Sequence, residues 1–214
     1  MTINLKNLLN PKVKMSKMGE FQELKAIDGL EISSVSADLY GDGRDDLTLF
    51  YFKDGANFAA VYTTSKVTSA CINWNLKVKR HFVKALMVNT KNANTFTGTK
   101  GAQGLKEVAQ TLSKALTLKS SQTPKGVSDV IKLTDLLFAS TGVIGEEFPH
   151  VKIKNRIPEL IKKLKIEQNK YVWFKAASAI MTTDTKPKLA YEECKIGTKT
   201  IKISGIAKGS GMIA

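Results

Sequence analysis

Four stretches of this chain hold residue types suited to chemistry. Lys208 stands alone in Gly-Ile-Ala-Lys-Gly-Ser-Gly, residues 205–211. Flanking glycines let backbone approach a ligand closely, and an ammonium suits a carboxylate or phosphate. An exposed turn lysine would read the same way. Ser140-Thr141-Gly142 follows the apolar run from Leu136 to Ala139. A hydroxyl residue and a glycine at a strand end can present N–H groups to an anion, although many strands simply end this way. Thr182, Thr183, Asp184 and Thr185 cluster after an apolar helical pattern, as capping groups or as a binding site, and periodicity does not choose between them.

The fourth stretch holds Gly98, Gly101 and Gly104 between a buried-strand pattern and a helical one, which is also the layout of a phosphate site. Their spacing matches neither the dinucleotide fingerprint nor the P-loop, and no Gly-Lys-Ser/Thr follows. A polar loop held by Asn89, Asn92, Asn94 and Thr97 accounts for the stretch better. Asp38, Asp42, Asp45 and Asp46 lack calcium-loop alternation, because Tyr40 falls where the second ligand should be, so they read as turn residues. Cys71 and Cys194 are far apart, and His81 and His150 stand alone, so neither a zinc site nor a disulfide framework is indicated.

The elements that must position these residues follow from hydrophobic period. Residues 30–67 read as a meander of three antiparallel strands, turning at Gly41-Asp42-Gly43 and again at Asp54-Gly55. Ala85 to Val88 predict a buried strand, and Leu105, Val108, Leu112 and Leu116 a helix behind it. Leu136 to Ala139 predict another strand. Ile153, Ile157, Leu160, Ile161 and Leu164 mark an amphipathic helix with a solvated lysine face, in which Pro158 is tolerable only near the first turn. Val172, Trp173, Ala176, Ala177 and Ile180 predict a more buried helix. The last section reads as a hairpin turning near Gly197-Thr198, with Lys199 to Ile206 as the returning strand.

At 214 residues and 43% hydrophobic, the chain can bury a sizeable core in one main domain, residues 1–214. No apolar run is long enough to span a bilayer, and MTINLKNLLNPKVKMSK lacks signal-peptide features, so a cytoplasmic protein without a membrane partner is expected. The net charge of +14 raises nucleic acid as a partner. Only Arg44, Arg80 and Arg156 are arginines, the lysines are scattered, and aromatics make up 7% of the chain. Guanine readout favours arginine and single strands need stacking rings, so a lysine-rich solvated surface explains the charge better than nucleic-acid binding.

The segments VYTTSKV, VNTKNANTFTG, ASTGVIG, AIMTTDTKPKLA and GIAKGSGMIA, in this order and spacing, resemble the N-terminal half of the glutamate N-acetyltransferase family, also called ornithine acetyltransferase. The resemblance implies an α/β fold, a four-layer αββα sandwich completed by a β chain. It implies a precursor that cuts itself at an Ala-Thr bond shortly after KGSGMIA, with Pro-Asn-Met-Ala expected to follow Ala214 and end the α chain. The new N-terminal threonine of the β chain would be the nucleophile.

The implied activity is acetyl transfer from N-acetylornithine to glutamate through an acetyl-threonine. Acetyl-CoA is a second donor in many members, and no cofactor or metal is required. A threonine at a chain start carries its own base in its α-amine, so no Ser/His/Asp set is expected here. Residue by residue, Thr141 and Gly142 match the oxyanion-stabilising pair, and Thr182 and Lys208 match the substrate-binding threonine and lysine. The expected partners are the β chain, in an (αβ)2 heterotetramer, and the small-molecule substrates. The asparagine loop departs from the family pattern at Thr90, Lys91, Thr95 and Phe96, where Ser, Gly, Ala and Cys are more usual.

Overall fold

The computed structural model describes residues 24–121, 130–165 and 167–210. The opening segment judged above for a signal peptide and the last four residues of the final motif lie outside the described residues. Strand β1 (Leu30–Val35) is rich in β-branched and apolar residues and buried throughout. It pairs antiparallel with β2 (Leu47–Asn57), with Ile32 opposite Phe50. The Gly41-Asp42-Gly43 region connects them as predicted.

The third strand of the predicted meander is absent. β2 runs straight through Asp54-Gly55, and the ladder register shifts between Tyr51 and Ala56. Gly55, at φ +81°, therefore serves a bulge rather than a turn. The next antiparallel partner of β2 is instead β3 (Phe82–Asn89), reached after the short helix α1 (Ala70–Asn75). Helix α2 (Gly98–Ser121) crosses over from β3 to β4 (Leu136–Ser140), which lies parallel to β3. The sheet order is β1-β2-β3-β4.

Alternation along the strands divides two apolar faces. Val35, Leu47, Leu49, Tyr51, Ala85, Met87, Leu136 and Phe138 meet Leu105, Val108, Leu112 and Leu116 of α2 and Ile153, Ile157 and Leu160 of α3 (His150–Lys162). Each such leucine, buried at the i, i+3/i+4 spacing of one helix face, stabilises the fold by about 1.5–3 kcal/mol relative to exposure. On the opposite face, Leu30, Ile32 and Phe50 pack on Trp173 and Ala176 of α4 (Lys170–Ala179), with the Phe50 and Trp173 rings 6.4 Å apart.

Pro158 lies well inside α3, beyond the first turn to which the sequence reading confined it. It removes one helical N–H, but Ile157 and Leu160 beside it are fully buried, and that burial offsets the lost bond. The final hairpin forms as expected, from β5 (Lys188–Ile196) and β6 (Lys199–Ala207), paired antiparallel. Its base packs on the second face through Leu189, Tyr191 and Ile206, while the tip is exposed.

Candidate functional site

The site begins at the edge of the sheet. β4 is an edge strand, and α1 covers its open backbone. Asn75 donates from Nδ2 to the Phe138 carbonyl at 2.8 Å and accepts the Phe138 N–H at 3.0 Å. Trp74 Nε1 donates to the Leu136 carbonyl at 3.0 Å. The side-chain amide thus stands in for a further strand and holds β4 up to its last residue. There, Ser140 Oγ donates to Asn89 Oδ1 at 2.6 Å and meets Cys71 Sγ at 3.0 Å. Burial pushes the Cys71 thiol up to about 12, against a smaller lowering effect from the Ser140 hydroxyl, so Cys71 is a packed, neutral group.

Past the strand ends, parallel pairing continues along the asparagine loop. Thr141 donates its N–H to the Asn89 carbonyl at 3.1 Å, Val143 to Lys91 at 2.8 Å, and Ala93 to Val143 at 2.9 Å. Asn92 Nδ2 donates to the Glu146 and Glu147 carbonyls, Asn92 Oδ1 accepts the Asn94 N–H, and Thr97 Oγ1 donates to Asn94 Oδ1. The loop is held by its own Asn and Thr side chains. Three non-glycine residues in it have positive φ: Lys91 at +71°, Asn94 at +50° and Phe96 at +59°.

Gly142 sits where this ladder is tightest. Its φ is +140°, and a Cβ there would fall on the Lys91 carbonyl and the Asn92 nitrogen, both backbone. Thr141 and Val143 both point their N–H groups at the loop, so Gly142, between them, points its own the other way. Among the described residues that N–H has no acceptor. Gly101 and Gly104 have a different reason. A Cβ at Gly101 would strike the Thr97 and Asn94 side chains, and one at Gly104 would press on the His150 ring at 3.0 Å. These are packing glycines of α2, which accounts for them without a phosphate.

Lys208, just beyond β6, closes the site. Its Nζ donates to Thr141 Oγ1 at 2.8 Å and to Thr182 Oγ1 at 3.1 Å. Residues 67 and 26 positions apart in the chain therefore converge on one ammonium. One ammonium hydrogen is left for a ligand, and the Thr141 hydroxyl, one of its lone pairs taken by Lys208, keeps its proton to donate. Thr141, Gly142, Thr182 and Lys208 thus form one cationic, donor-rich patch.

Sequence reasoning left Asp184 undecided between capping and binding. Asp184 is fully buried. It accepts Lys188 Nζ at 2.6 Å, the Gly209 N–H at 2.5 Å and the Thr182 N–H at 3.3 Å. Burial pushes its carboxyl up, but the Lys188 ammonium and the two backbone N–H groups outweigh that and hold it below its ordinary 3.8. Lys188, overlooked in the sequence, carried no signal beyond its i+4 spacing from Asp184. Asp46 is one of the four acidic residues read from the sequence as turn residues. It accepts the Ala37 and Leu39 N–H groups at 2.6 and 2.7 Å. Among the described residues, no group of three His, Cys, Asp or Glu could hold a metal ion, and no helix is long and apolar enough to cross a membrane.

Known proteins are similar to this chain. The chain is 39% identical over 201 residues to the arginine biosynthesis bifunctional protein ArgJ of Caulobacter vibrioides, and 38% over 194 residues to that of Bartonella henselae. These matches take in 91% and 90% of this chain but 45% and 43% of the relatives, so the chain spans a little under half their length. The Bacillus halodurans ArgJ crystal structure superposes with a TM-score of 0.76 at 26% identity, covering 90% of this chain and 96% of that one. The Mycobacterium tuberculosis ornithine acetyltransferase complexed with ornithine shares the mixed α/β fold, with a TM-score of 0.74 at 24% identity over 90% of this chain and 97% of that one. The ArgJ family model matches residues 31–214, from β1 through every residue of the donor patch, and the chain belongs to the ArgJ family.

Proposed function

We propose that this chain is the α-chain half of an acetyltransferase that moves acetyl from N-acetylornithine to glutamate, yielding ornithine and N-acetylglutamate. One observation carries the reading: Lys208 Nζ lies between the Thr141 and Thr182 hydroxyls, next to Gly142, whose N–H has no acceptor among the described residues. These donors suit an amide carbonyl becoming an oxyanion. The nucleophile is the N-terminal threonine of the β chain, outside this sequence, whose α-amine takes the hydroxyl proton.

In the first half-reaction the threonine oxygen bonds to the acetyl carbon of N-acetylornithine. The carbonyl oxygen, now negative, accepts from Thr141 Oγ1–H and Gly142 N–H. The C–N bond then breaks, the ornithine amine leaves with the proton held by the α-amine, and acetyl stays on threonine as an ester. In the second, the glutamate amine attacks that ester through the same oxyanion, the ester C–O bond breaks, the amine's proton passes by way of the α-amine to the departing threonine oxygen, and N-acetylglutamate leaves. Thr182 and the remaining hydrogen of Lys208 hold the α-carboxylate end or backbone amide of the acyl amino acid.

The same reading makes residues 1–214 one main domain shared with the β chain, in a four-layer αββα sandwich and an (αβ)2 heterotetramer of the cytoplasm. It needs no cofactor, leaves open whether acetyl-CoA serves as a second donor, and leaves the isolated chain inactive. Support for a missing half comes from the share of the relatives' length the chain spans, and from Val143 and Ile144, 42% and 60% exposed just past Gly142 in the chain. The test is intact mass spectrometry of protein expressed from its full gene after brief incubation with N-acetylornithine. A chain beginning with threonine and carrying one added acetyl group is expected. An uncleaved, unmodified species refutes the proposal.

A further inference from the structure

Lysine has a flexible stem, and about 2 kcal/mol of rotamer entropy opposes holding its ammonium at one point. Lys208 also lies one residue past the end of a hairpin whose outer half is exposed. Its placement between Thr141 and Thr182 requires that the backbone after β6 be pinned. Gly209, the next residue, is pinned at both of its polar groups. Its N–H donates to Asp184 Oδ1 at 2.5 Å, and its carbonyl accepts from Lys188 Nζ at 2.6 Å. Asp184 and Lys188 are themselves joined at 2.6 Å, so the peptide groups of Gly209 close a ring with an ion pair.

The same carboxylate reaches the second member of the site. Asp184 Oδ2 accepts the Thr182 N–H at 3.3 Å. One buried carboxylate therefore holds the backbone of Thr182 with one oxygen and the backbone next to Lys208 with the other. A solvated surface pair would gain little from such an arrangement, but Asp184 is 0% exposed, so each of its partners matters.

We infer that Asp184 and Lys188 are positioning residues, a clamp on Gly209 that sets where the Lys208 ammonium meets Thr141 and Thr182. The inference rests on the proposed function for what Lys208 does, but not for the clamp's geometry. Neither residue touches the reacting atoms; both act through the backbone. Asp184→Asn keeps the shape and one acceptor oxygen but gives up the charge that holds Lys188. Lys188→Met leaves the carboxylate and its two backbone bonds in place and frees the Gly209 carbonyl.

The experiment uses protein expressed from its full gene, with N-acetylornithine and glutamate as substrates and Lys208→Met as reference. Two readouts are taken: steady-state kinetics, and amide hydrogen exchange at Gly209. For both Asp184→Asn and Lys188→Met, kcat is expected to fall about tenfold or more and KM to rise, because the clamp sets Lys208 and Thr182, which hold substrate, and through Lys208 the Thr141 hydroxyl that faces the oxyanion. Exchange at Gly209 should accelerate in the same variants, and Lys188→Arg should recover part of kcat. If Asp184→Asn does not fold, Lys188→Met carries the same test.

Wild-type kcat in both clamp variants, with Lys208→Met inactive, overturns the clamp and leaves the proposed function standing. So does a lowered kcat with unchanged Gly209 exchange. Full activity in Lys208→Met removes Lys208 from the reaction, and the clamp loses its purpose with it.

Discussion

Gly142→Ala tests the tightest part of the site. The glycine has φ +140°, a region that costs other residues about 1–3 kcal/mol. The added methyl would also meet the Lys91 carbonyl and the Asn92 nitrogen, backbone atoms that no side-chain rotation can move aside. For a chain of this size each kcal/mol lowers Tm by about 2–4 °C, so the backbone cost alone predicts a fall of about 2–12 °C. Relief comes only by moving Thr141-Gly142 away from the asparagine loop, which takes the Gly142 N–H off the oxyanion. Losing one such donor lowers kcat by about 10²–10³-fold. Gly145→Ala is the control. It also has positive φ, +84°, but no atom lies within 4 Å of its added Cβ. It should lower Tm by about 2–8 °C, from a cost of about 1–2 kcal/mol, and keep its turnover. Differential scanning fluorimetry and an ornithine-release assay on the protein from its full gene read both quantities. Wild-type turnover in Gly142→Ala refutes the assignment of its N–H to the oxyanion.

Lys91, at φ +71°, should tolerate Lys91→Gly with Tm raised by about 2–4 °C, from relief of roughly 1 kcal/mol of left-handed strain; a lowered Tm counts against strain at that residue. The cysteines should differ sharply: Cys194, free and exposed, reacts with a thiol reagent at neutral pH, whereas Cys71, buried with its thiol raised to about 12, reacts only on unfolding, and two fast-reacting thiols per chain would contradict this. Asp184 sets an acid dependence. Its folded carboxyl titrates below 3.8, so the unfolded chain binds that proton more tightly; its contribution is fully present above pH 3.8 and is lost as pH falls through the depressed value. Urea denaturation across pH should therefore show wild type more stable than Asp184→Asn at neutral pH, with the gap closing below about 3.8, and a constant gap refutes the depression.

Much of the scaffold was legible in local pattern. The period-2 burial of β3, the i, i+3, i+4 leucines of α2 and the turn residues of the last hairpin each bury one face of one element, and that information lies within a few consecutive residues. The sequence motifs also carried the family, and with it Thr141, Gly142, Thr182 and Lys208 as candidates. Asp54-Gly55 misled, because a bulge and a turn ask the same positive φ of glycine and differ only in whether the partner strand continues alongside. Pro158 misled because its tolerance depends on how strongly its neighbours are buried, which only the packed core decides.

What the tertiary structure alone decided is long in sequence separation. Nothing near Lys208 says that its ammonium lies on Thr141, 67 residues away, or that the carboxylate of Asp184 reaches Gly209, 25 residues on. A lysine among glycines is an exposed turn residue until a sheet edge, an asparagine loop and a buried carboxylate arrive around it. Composition and periodicity determine which residues can form strands, helices and a core, because those preferences are local and additive. Which polar side chains meet depends on how the finished elements pack, because a hydrogen bond is made or lost within a fraction of an ångström and no local pattern carries distance across the fold.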